Sequence, residues 1–273
     1  MIWTHKLVKS LLVTIVFIFG AISILATGGG SGGGSDSEIS KTMETFSIES
    51  EVVGIKYNIS VGLPPTYDDT DTPHTAIFLL DGEIFFNDFY QSYDEDDNHI
   101  LIGINNSYRR DTDYMPINTC WENGGGNQSF FMFIKTELVP YLDTQYNIDP
   151  SLRILVGHSN GGSFVFYTLF TDHGETFPLL FSNDASVRCW DVLSLEQSYN
   201  DQNLDLPVIF YSSGATEGGA DDVRPVMEKI ISRDYVGLKV KYDEIQGTHE
   251  GILNTAFSNG FDWIGSQLPD PSD

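Results

Sequence analysis

One five-residue motif, Gly157-His158-Ser159-Asn160-Gly161, has the residue types and the context for nucleophilic chemistry. A serine hydroxyl attacks a carbonyl carbon only when a base takes its proton and a sharp turn makes it project from the protein. An apolar run typical of a strand, 154–156, precedes this motif, and an apolar run typical of a helix, 164–170, follows it. A second copy of the pattern, 29–33, has neither neighbour and is discarded. The first copy predicts a strand–turn–helix with Ser159 as the nucleophile.

The order of residues along the chain predicts the general base. Where a serine occupies such a turn, an acid and then a histidine follow it in sequence. Among the six histidines, only His173 and His249 come after the motif. His173 lies at the end of the helix that Ser159 begins, whereas His249 follows the last predicted strand. His249 is therefore the predicted base.

The acid is the least determined member of this group. Glu217 comes shortly after the apolar run 208–211 and is the preferred partner for the imidazole of His249, with Asp221 and Asp222 as alternatives. The oxyanion of an ester intermediate needs backbone donors. We expect them to be the N–H groups of Asn160, at the start of a helix, and of Glu83, after the turn Asp81-Gly82.

Short apolar runs that alternate with helical segments must position these residues. Two antiparallel strands are predicted from residue 45, and buried strands follow at 76–80, 99–104, 153–156, 208–211 and 238–242. A helical segment is predicted over 130–146. This alternation indicates an α/β fold with a mostly parallel central sheet and helices on both faces. In such sheets, functional residues lie at the carboxyl ends of the strands.

Composition excludes several classes of function. The chain of 273 residues has a formal net charge of −25 and a pI near 4.2, so nucleic acid is not expected as a partner. The acidic runs 68–71 and 94–97 lack the glycine and the terminal glutamate of a calcium loop. Two cysteines, Cys120 and Cys189, do not make a zinc site, and no metal is expected, but they are candidates for a disulfide.

The first residues read as a leader rather than as part of the fold. Lys6 and Lys9 precede an apolar stretch, 10–26, and small residues follow it. We expect a signal peptide or signal anchor at 1–27, a Gly/Ser-rich linker at 28–42, one catalytic domain at 43–268 without a membrane span, and a tail at 269–273. The predicted location is secreted or periplasmic, with membrane anchoring by an uncleaved leader as the alternative.

Four segments, in consistent order, resemble the putative esterase family of α/β-hydrolases, which includes siderophore trilactone esterases, esterase D, feruloyl esterases and mycolyltransferases. They are Phe78-Leu79-Leu80-Asp81-Gly82, Arg109-Arg110-Asp111 through Tyr114-Met115-Pro116, Phe133-Ile134 through Pro140, and Gly157 through Gly162. The siderophore-esterase branch is the most similar. The resemblance implies an α/β-hydrolase fold, a triad of Ser159, Glu217 and His249, a small-molecule ester substrate and no cofactor.

The chain departs from the family pattern where Ser-Pro-Ser and a Trp pair are common. Residues 182–190 read instead Ser-Asn-Asp-Ala-Ser-Val-Arg-Cys-Trp. The candidate substrate-binding residues are Asp81, Arg109, Arg110 and Trp190, and Arg188 joins the two other arginines as a candidate basic patch. A serine esterase is the leading hypothesis. An acyltransferase, or a binding protein that keeps the fold without turnover, are the alternatives.

Overall fold

The computed structural model describes residues 42–65, 67, 71–92, 98–116, 120 and 123–268. The predicted leader, almost all of the linker and the tail lie outside this part of the chain, as do residues 68–70 of the first acidic run and all of the second, 94–97. The predicted domain boundaries therefore stay predictions. Within the described residues, no helix is both long enough and apolar enough to span a bilayer.

Eight strands form one sheet in the order β1-β2-β4-β3-β5-β6-β7-β8. The first two strands and the β2–β4 pair are antiparallel, and all other neighbours are parallel. This confirms the predicted mostly parallel sheet with two antiparallel opening strands. The strands are β1 Thr42–Glu49, β2 Lys56–Leu63, β3 His74–Leu80, β4 His99–Asn105, β5 Ile148–His158, β6 Leu179–Asn183, β7 Ile209–Ala215 and β8 Lys239–Ile245.

Helices cover both faces of the sheet, because alternate residues of each buried strand point to opposite sides. In β3, Ile77 and Leu79 belong to one apolar cluster while Phe78 and Leu80 belong to the other. Helices α1 and α8 pack on the first face and α3 to α7 on the second. The helices are α1 Gly82–Gln91, α2 Arg110–Asp113, α3 Asn127–Phe133, α4 Val139–Gln145, α5 Asn160–Asp172, α6 Val192–Asn200, α7 Ala220–Arg233 and α8 Leu253–Gln267.

The predicted helical segment 130–146 is two α-helices joined by a π-helical turn, Ile134–Leu138. Pro140 lies within the first two residues of α4, where its missing N–H costs least. The buried residues of this segment complete the second face of the core.

Strand β5 occupies the middle of the sheet, with β3 on one side and β6 on the other. The carboxyl ends of these three parallel strands meet at one edge. Side chains that follow β3, β5 and β6 are therefore close together, and this edge is where the candidate site lies.

Candidate active site

Ser159 is located in the sharp turn between β5 and α5. Its backbone has φ 60° and ψ −119°, a conformation that is rare for a residue with a side chain. The turn closes tightly, because a Cβ on Gly157 would lie only 2.3 Å from the carbonyl oxygen of Gly161. The N–H of Ser163 donates to the Ser159 carbonyl at 3.0 Å and starts the helix. The glycines thus permit a strained turn that projects the Ser159 side chain into a cavity.

His249 follows β8 and reaches the same cavity. Its Nδ1 lies 2.5 Å from Oδ2 of Asp184, and the Asp184 side chain is fully buried. A carboxylate is an acceptor only, so a proton on Nδ1 satisfies this contact, and in the neutral imidazole Nε2 is then the lone-pair acceptor. His249 therefore has the tautomer that a general base needs.

Backbone donors hold Asp184 in place. Its Oδ1 accepts from the N–H of Ala215 at 2.7 Å and of Gly219 at 3.0 Å. Asp184 directly follows β6, has φ 42°, and donates its own N–H to Ser213 of β7 at 2.9 Å. A Cβ on Gly219 would lie 2.7 Å from Oδ1, so the glycine lets the loop after β7 close around the carboxylate.

These contacts correct the predicted acid. Glu217, the preferred residue, lines the cavity with an exposed side chain, but Asp184 is the carboxylate that contacts His249. Asp222 also lines the cavity, and Asp221 forms an ion pair with Arg224 at 2.9 Å. The physical reason is distance along the sheet: Asp184 follows β6, which is paired with β5, whereas Glu217 follows β7, one strand farther from Ser159.

The hydroxyl of Ser159 has a neighbour that the sequence analysis did not anticipate. Its Oγ lies 3.2 Å from Oγ of Ser186, in the loop after β6. The same loop donates the N–H of Ser186 to the Ser159 carbonyl oxygen at 3.1 Å. Asp184 and Ser186 therefore approach the nucleophile from the same side.

His158, which precedes the nucleophile, is buried and uncharged. Burial, together with the neighbouring His249, lowers its pKa to about 3. Its Nδ1 lies 3.2 Å from the side-chain amide nitrogen of Asn183, while Oδ1 of Asn183 accepts from the Ser213 hydroxyl at 2.7 Å. The ring centroids of His158 and His249 are 4.3 Å apart, so a neutral ring packs beside the proposed base.

The opposite wall of the cavity is built on Asp81, which follows β3. One carboxylate oxygen lies 3.1 Å from the Arg110 guanidinium and the other 3.1 Å from the Tyr114 hydroxyl. Burial raises the pKa of Asp81 to about 6, although Arg110 and Tyr114 act in the other direction. Arg110 also donates to the carbonyl oxygen of His158 at 3.3 Å, which joins this wall to the residue before the turn at Ser159.

Two helices begin at the cavity. Helix α5 starts with Asn160, and its side chain donates to Asp111 at 3.0 Å. Helix α1 starts with Gly82, and Glu83 is its second residue. The first N–H groups of a helix have no partner within that helix and favour negative charge. The side chain of Glu83 itself turns away, since its carboxylate accepts from the Ser107 N–H at 2.8 Å.

Two of the four predicted substrate-binding residues do not line the cavity. Arg109 pairs instead with the buried Asp113 at 3.1 Å. Trp190 packs against the core, with its ring centroid 6.1 Å from that of Tyr167. Asp81 and Arg110 do line the cavity, as does Arg188, whose side chain is exposed. The side chain of Arg109 does not reach the cavity because it compensates a second buried aspartate, Asp113.

The cavity has a volume of about 1150 Å³ and opens to solvent. A disulfide joins Cys120 to Cys189, three residues beyond Ser186, with the Cα atoms 4.9 Å apart. His158, His249 and Glu250 each offer one ligand atom, and these atoms lie within 4.8 Å of one another. The His249 ring in that group already contacts Asp184, and the expectation of no metal stays a prediction.

A family model described as a putative esterase matches residues 50–198. The chain belongs to the putative esterase family. A curated relative from Bacillus subtilis (strain 168), the ferri-bacillibactin esterase BesA, is 41% identical over 144 residues, which are 49% of this chain and 50% of that protein. The chain thus spans about half the length of this curated relative.

Solved structures with the same fold extend the comparison. The BES protein from Bacillus cereus superimposes with a TM-score of 0.72 at 23% identity and covers 81% of this chain and 95% of its own. An IroE-like serine hydrolase from Shewanella oneidensis gives a TM-score of 0.75 at 20% identity, with 84% and 82% covered. These likenesses confirm the α/β-hydrolase fold, and the relatives confirm the predicted resemblance to the siderophore-esterase branch.

Proposed function

We propose that this member of the putative esterase family is a serine hydrolase of carboxylic esters that works through an acyl-enzyme. The observation that carries the proposal is the contact of the buried Asp184 with Nδ1 of His249, in the wall of the cavity into which the strained turn projects Ser159. A nucleophile, a base with the correct tautomer and a carboxylate that fixes the base are the three parts of a catalytic triad.

In the proposed first step, the Ser159 oxygen attacks the carbonyl carbon of the ester and Nε2 of His249 takes its proton. The imidazolium that forms is stabilised by Asp184, which is fully buried and keeps its charge close to the ring. His249 then gives the proton to the departing alcohol, and the acyl group stays on Ser159. Water repeats the sequence and releases the acid.

The negative charge on the ester oxygen requires donors on the other side of Ser159. We assign this role to the N–H groups of Asn160 and Glu83, as expected from the sequence. In support, both are among the first residues of helices that begin at the cavity, where the N–H groups are free and the helix dipole is positive. Such donors contribute about 100- to 1000-fold to the rate in related chemistry.

Siderophore-type esters are the substrate class that we propose. The support is the name of the Bacillus subtilis relative, a ferri-bacillibactin esterase, together with an open cavity of about 1150 Å³ that can admit a large ligand. An acyltransferase of the same fold is the second candidate, because the exposed cavity admits an alcohol as readily as water. Added acceptor alcohols separate the two: a transferase makes new esters, and a hydrolase makes only the free acid.

We also propose that the protein acts outside the cytoplasm, either released or held at the membrane by its first residues. The support is the sequence of 1–27, with two lysines before an apolar stretch. Fractionation of cells that express the full chain, followed by sequencing of the mature amino terminus, tests this. Full-length protein in the cytoplasmic fraction would contradict it.

Hydrolysis of short-chain p-nitrophenyl esters by the wild type, Ser159→Ala and His249→Ala tests the proposed activity. The expected loss of kcat is at least about 1000-fold in both variants. A surface change, Ser232→Ala at the end of α7, is the matched control and retains activity. Equal turnover by the wild type and Ser159→Ala would overturn the triad, and an inert wild type would favour a binding protein on a hydrolase scaffold.

A further inference from the structure

Ser186 has no part in the mechanism above, yet its hydroxyl contacts the hydroxyl of the nucleophile. Oγ of Ser186 lies 3.2 Å from Oγ of Ser159. Either oxygen can be the donor at this distance. What the contact does in the reaction depends on which oxygen donates.

The tautomer of His249 decides the direction. Because Asp184 accepts the proton of Nδ1, Nε2 of the neutral His249 ring is an acceptor, and in the proposed mechanism it takes the single hydroxyl proton of Ser159. Once that proton points to His249, Ser159 has only lone pairs to offer. Ser186 must then donate, and Ser159 becomes both a donor to the base and an acceptor from its neighbour.

The backbone fixes Ser186 in position for this contact. Its N–H donates to the Ser159 carbonyl at 3.1 Å, and its own carbonyl accepts from the Cys189 N–H at 3.3 Å. The turn Val187–Cys189 is a short 3₁₀ helix, and Cys189 is covalently joined to Cys120. Ser186 is therefore held from both ends, and little conformational entropy is lost when its hydroxyl bonds to Ser159.

The position of Ser186 separates its role from that of the oxyanion donors. Ser186 follows β6, whereas Glu83 follows β3, and these strands flank β5 on opposite sides. A donor on the β6 side faces the Ser159 oxygen from the side of His249. Such a donor is suited to the Ser159 oxygen, which attacks in the first step and leaves in the last. It is not suited to the ester carbonyl oxygen, which the N–H groups at the helix starts bind.

We propose that Ser186 is a second catalytic serine whose hydroxyl donates a hydrogen bond to the nucleophilic oxygen of Ser159. The inference rests on the proposed esterase function. The Ser159 oxygen gains negative charge as His249 removes its proton, and again when the acyl-enzyme breaks and this oxygen leaves the acyl carbon. A donor at that oxygen accelerates both acylation and deacylation. Ser186 itself forms and breaks no covalent bond, and the covalent steps remain those of the triad mechanism.

The test compares wild type, Ser186→Ala and Ser186→Thr, with Ser232→Ala as the matched control. Three quantities are measured: kcat/KM for a p-nitrophenyl ester, the burst and steady rates that separate acylation from deacylation, and the rate of inactivation by a fluorophosphonate. The loss of one hydrogen bond to a charged oxygen predicts about a tenfold decrease in all of these rates for Ser186→Ala. Ser186→Thr keeps the hydroxyl and is expected to restore most of the activity.

The pH profile distinguishes the loss of this hydrogen bond from a purely structural effect of Ser186→Ala. If Ser186→Ala acted by displacing Asp184 or His249, the midpoint of the acid limb of kcat/KM would move, because that limb reports the base. We expect the midpoint to stay within about 0.3 pH units of the wild type, with only the plateau lowered. The proposal would be overturned by a shifted midpoint of the acid limb, by a Ser186→Ala variant with wild-type rates, or by a Ser186→Thr variant as slow as Ser186→Ala.

Two outcomes distinguish this inference from the proposed function. An active wild type with an equally active Ser186→Ala removes the role of Ser186 and leaves the esterase proposal intact. A wild type that reacts with neither ester nor fluorophosphonate removes both. Mapping the labelled peptide completes the test, since a label on Ser159 is expected and a label on Ser186 would show that the nucleophile is misassigned.

Discussion

Asp81 and Asp184 occupy equivalent places on either side of the nucleophile. Each follows a buried parallel strand that pairs with β5, each has a positive φ (53° and 42°), and each is almost fully buried. The partners of the two carboxylates are different. Asp81 is compensated by a cation and a phenol, whereas Asp184 receives backbone N–H groups and one imidazole.

The difference shows how one residue type in one kind of position acquires two roles. A full positive charge beside Asp81 satisfies the carboxylate within the protein and makes a rigid wall. Asp184 has neutral backbone donors, and its Oδ2 is also directed at His249, a group that becomes positive only during the proposed reaction. We therefore propose a structural role for Asp81 and a catalytic role for Asp184.

Asp184→Asn has the largest expected effect and tests the comparison most directly. The amide that replaces the carboxylate would keep its oxygen on the backbone donors and turn its NH₂ group toward His249, which would favour the wrong imidazole tautomer. We expect kcat/KM to fall by about three to four orders of magnitude while the fold is retained. The measurement is ester hydrolysis together with thermal unfolding.

Glu217→Gln is the matched control, because Glu217 is the acid that the sequence favoured. Its carboxylate is exposed and does not contact His249, so a change of less than about threefold is expected. A larger loss in Glu217→Gln than in Asp184→Asn would reverse the assignment and would remove the contrast with Asp81.

Arg110→Ala tests how much the cation beside Asp81 contributes to stability. It leaves Asp81 buried without its cation, which is expected to lower the free energy of unfolding by about 3 kcal/mol at pH 7.5. Urea unfolding measures this loss. The double variant with Asp81→Asn is expected to be more stable than Arg110→Ala alone, because the uncompensated charge has been removed. Simple additivity of the two single changes would show that the pair is not coupled.

The pH dependence of stability gives the smallest effect. Burial raises the pKa of Asp81 from 3.8 to about 6, so the folded state holds this proton more tightly than the unfolded chain. The resulting stability is complete below the unfolded pKa and is lost as pH rises through about 6. Relative to Asp81→Asn, the wild type should lose about 2 kcal/mol between pH 4 and pH 7.

Chemical denaturation at several pH values checks this result, with the exposed Glu228→Gln in α7 as the control. The difference in unfolding free energy between Glu228→Gln and the wild type should stay flat across this range. A flat difference for Asp81→Asn as well would mean that Asp81 has an ordinary pKa in the folded state, and the contrast in electrostatics between the two aspartates would be lost.

Much of the fold was predictable because apolar runs and turn residues act locally. The antiparallel opening pair, the parallel strands, the turn at Ser159 and the helix that follows it all come from periodicity and glycine placement. The acid was not predicted, because the apolar stretch that forms β6 was not among the predicted buried strands. Asp184 directly follows it, so an aspartate at the end of a strand was the available signal.

The sequence also did not predict which charged side chains pair with each other. Arg109 and Arg110 are adjacent and look equivalent, yet one contacts Asp113 in the interior and the other contacts Asp81 at the cavity. Which aspartate each one meets depends on how the 3₁₀ turn Ser107–Arg109 packs against α1 and how α2 packs against α3 and α5. No local pattern encodes that choice, nor the approach of Ser186 to Ser159.

The disulfide between Cys120 and Cys189 closes a covalent ring, with a sequence separation of 69 residues. Ser159, Asp184 and Ser186 are all inside that ring, and His249 is outside it. A protease that cuts the backbone once between the two cysteines opens the ring without releasing a fragment, so the nucleophile and its acid stay on one molecule. A single cut between Cys189 and His249 meets no such cross-link, and only noncovalent contacts then keep the base beside the serine.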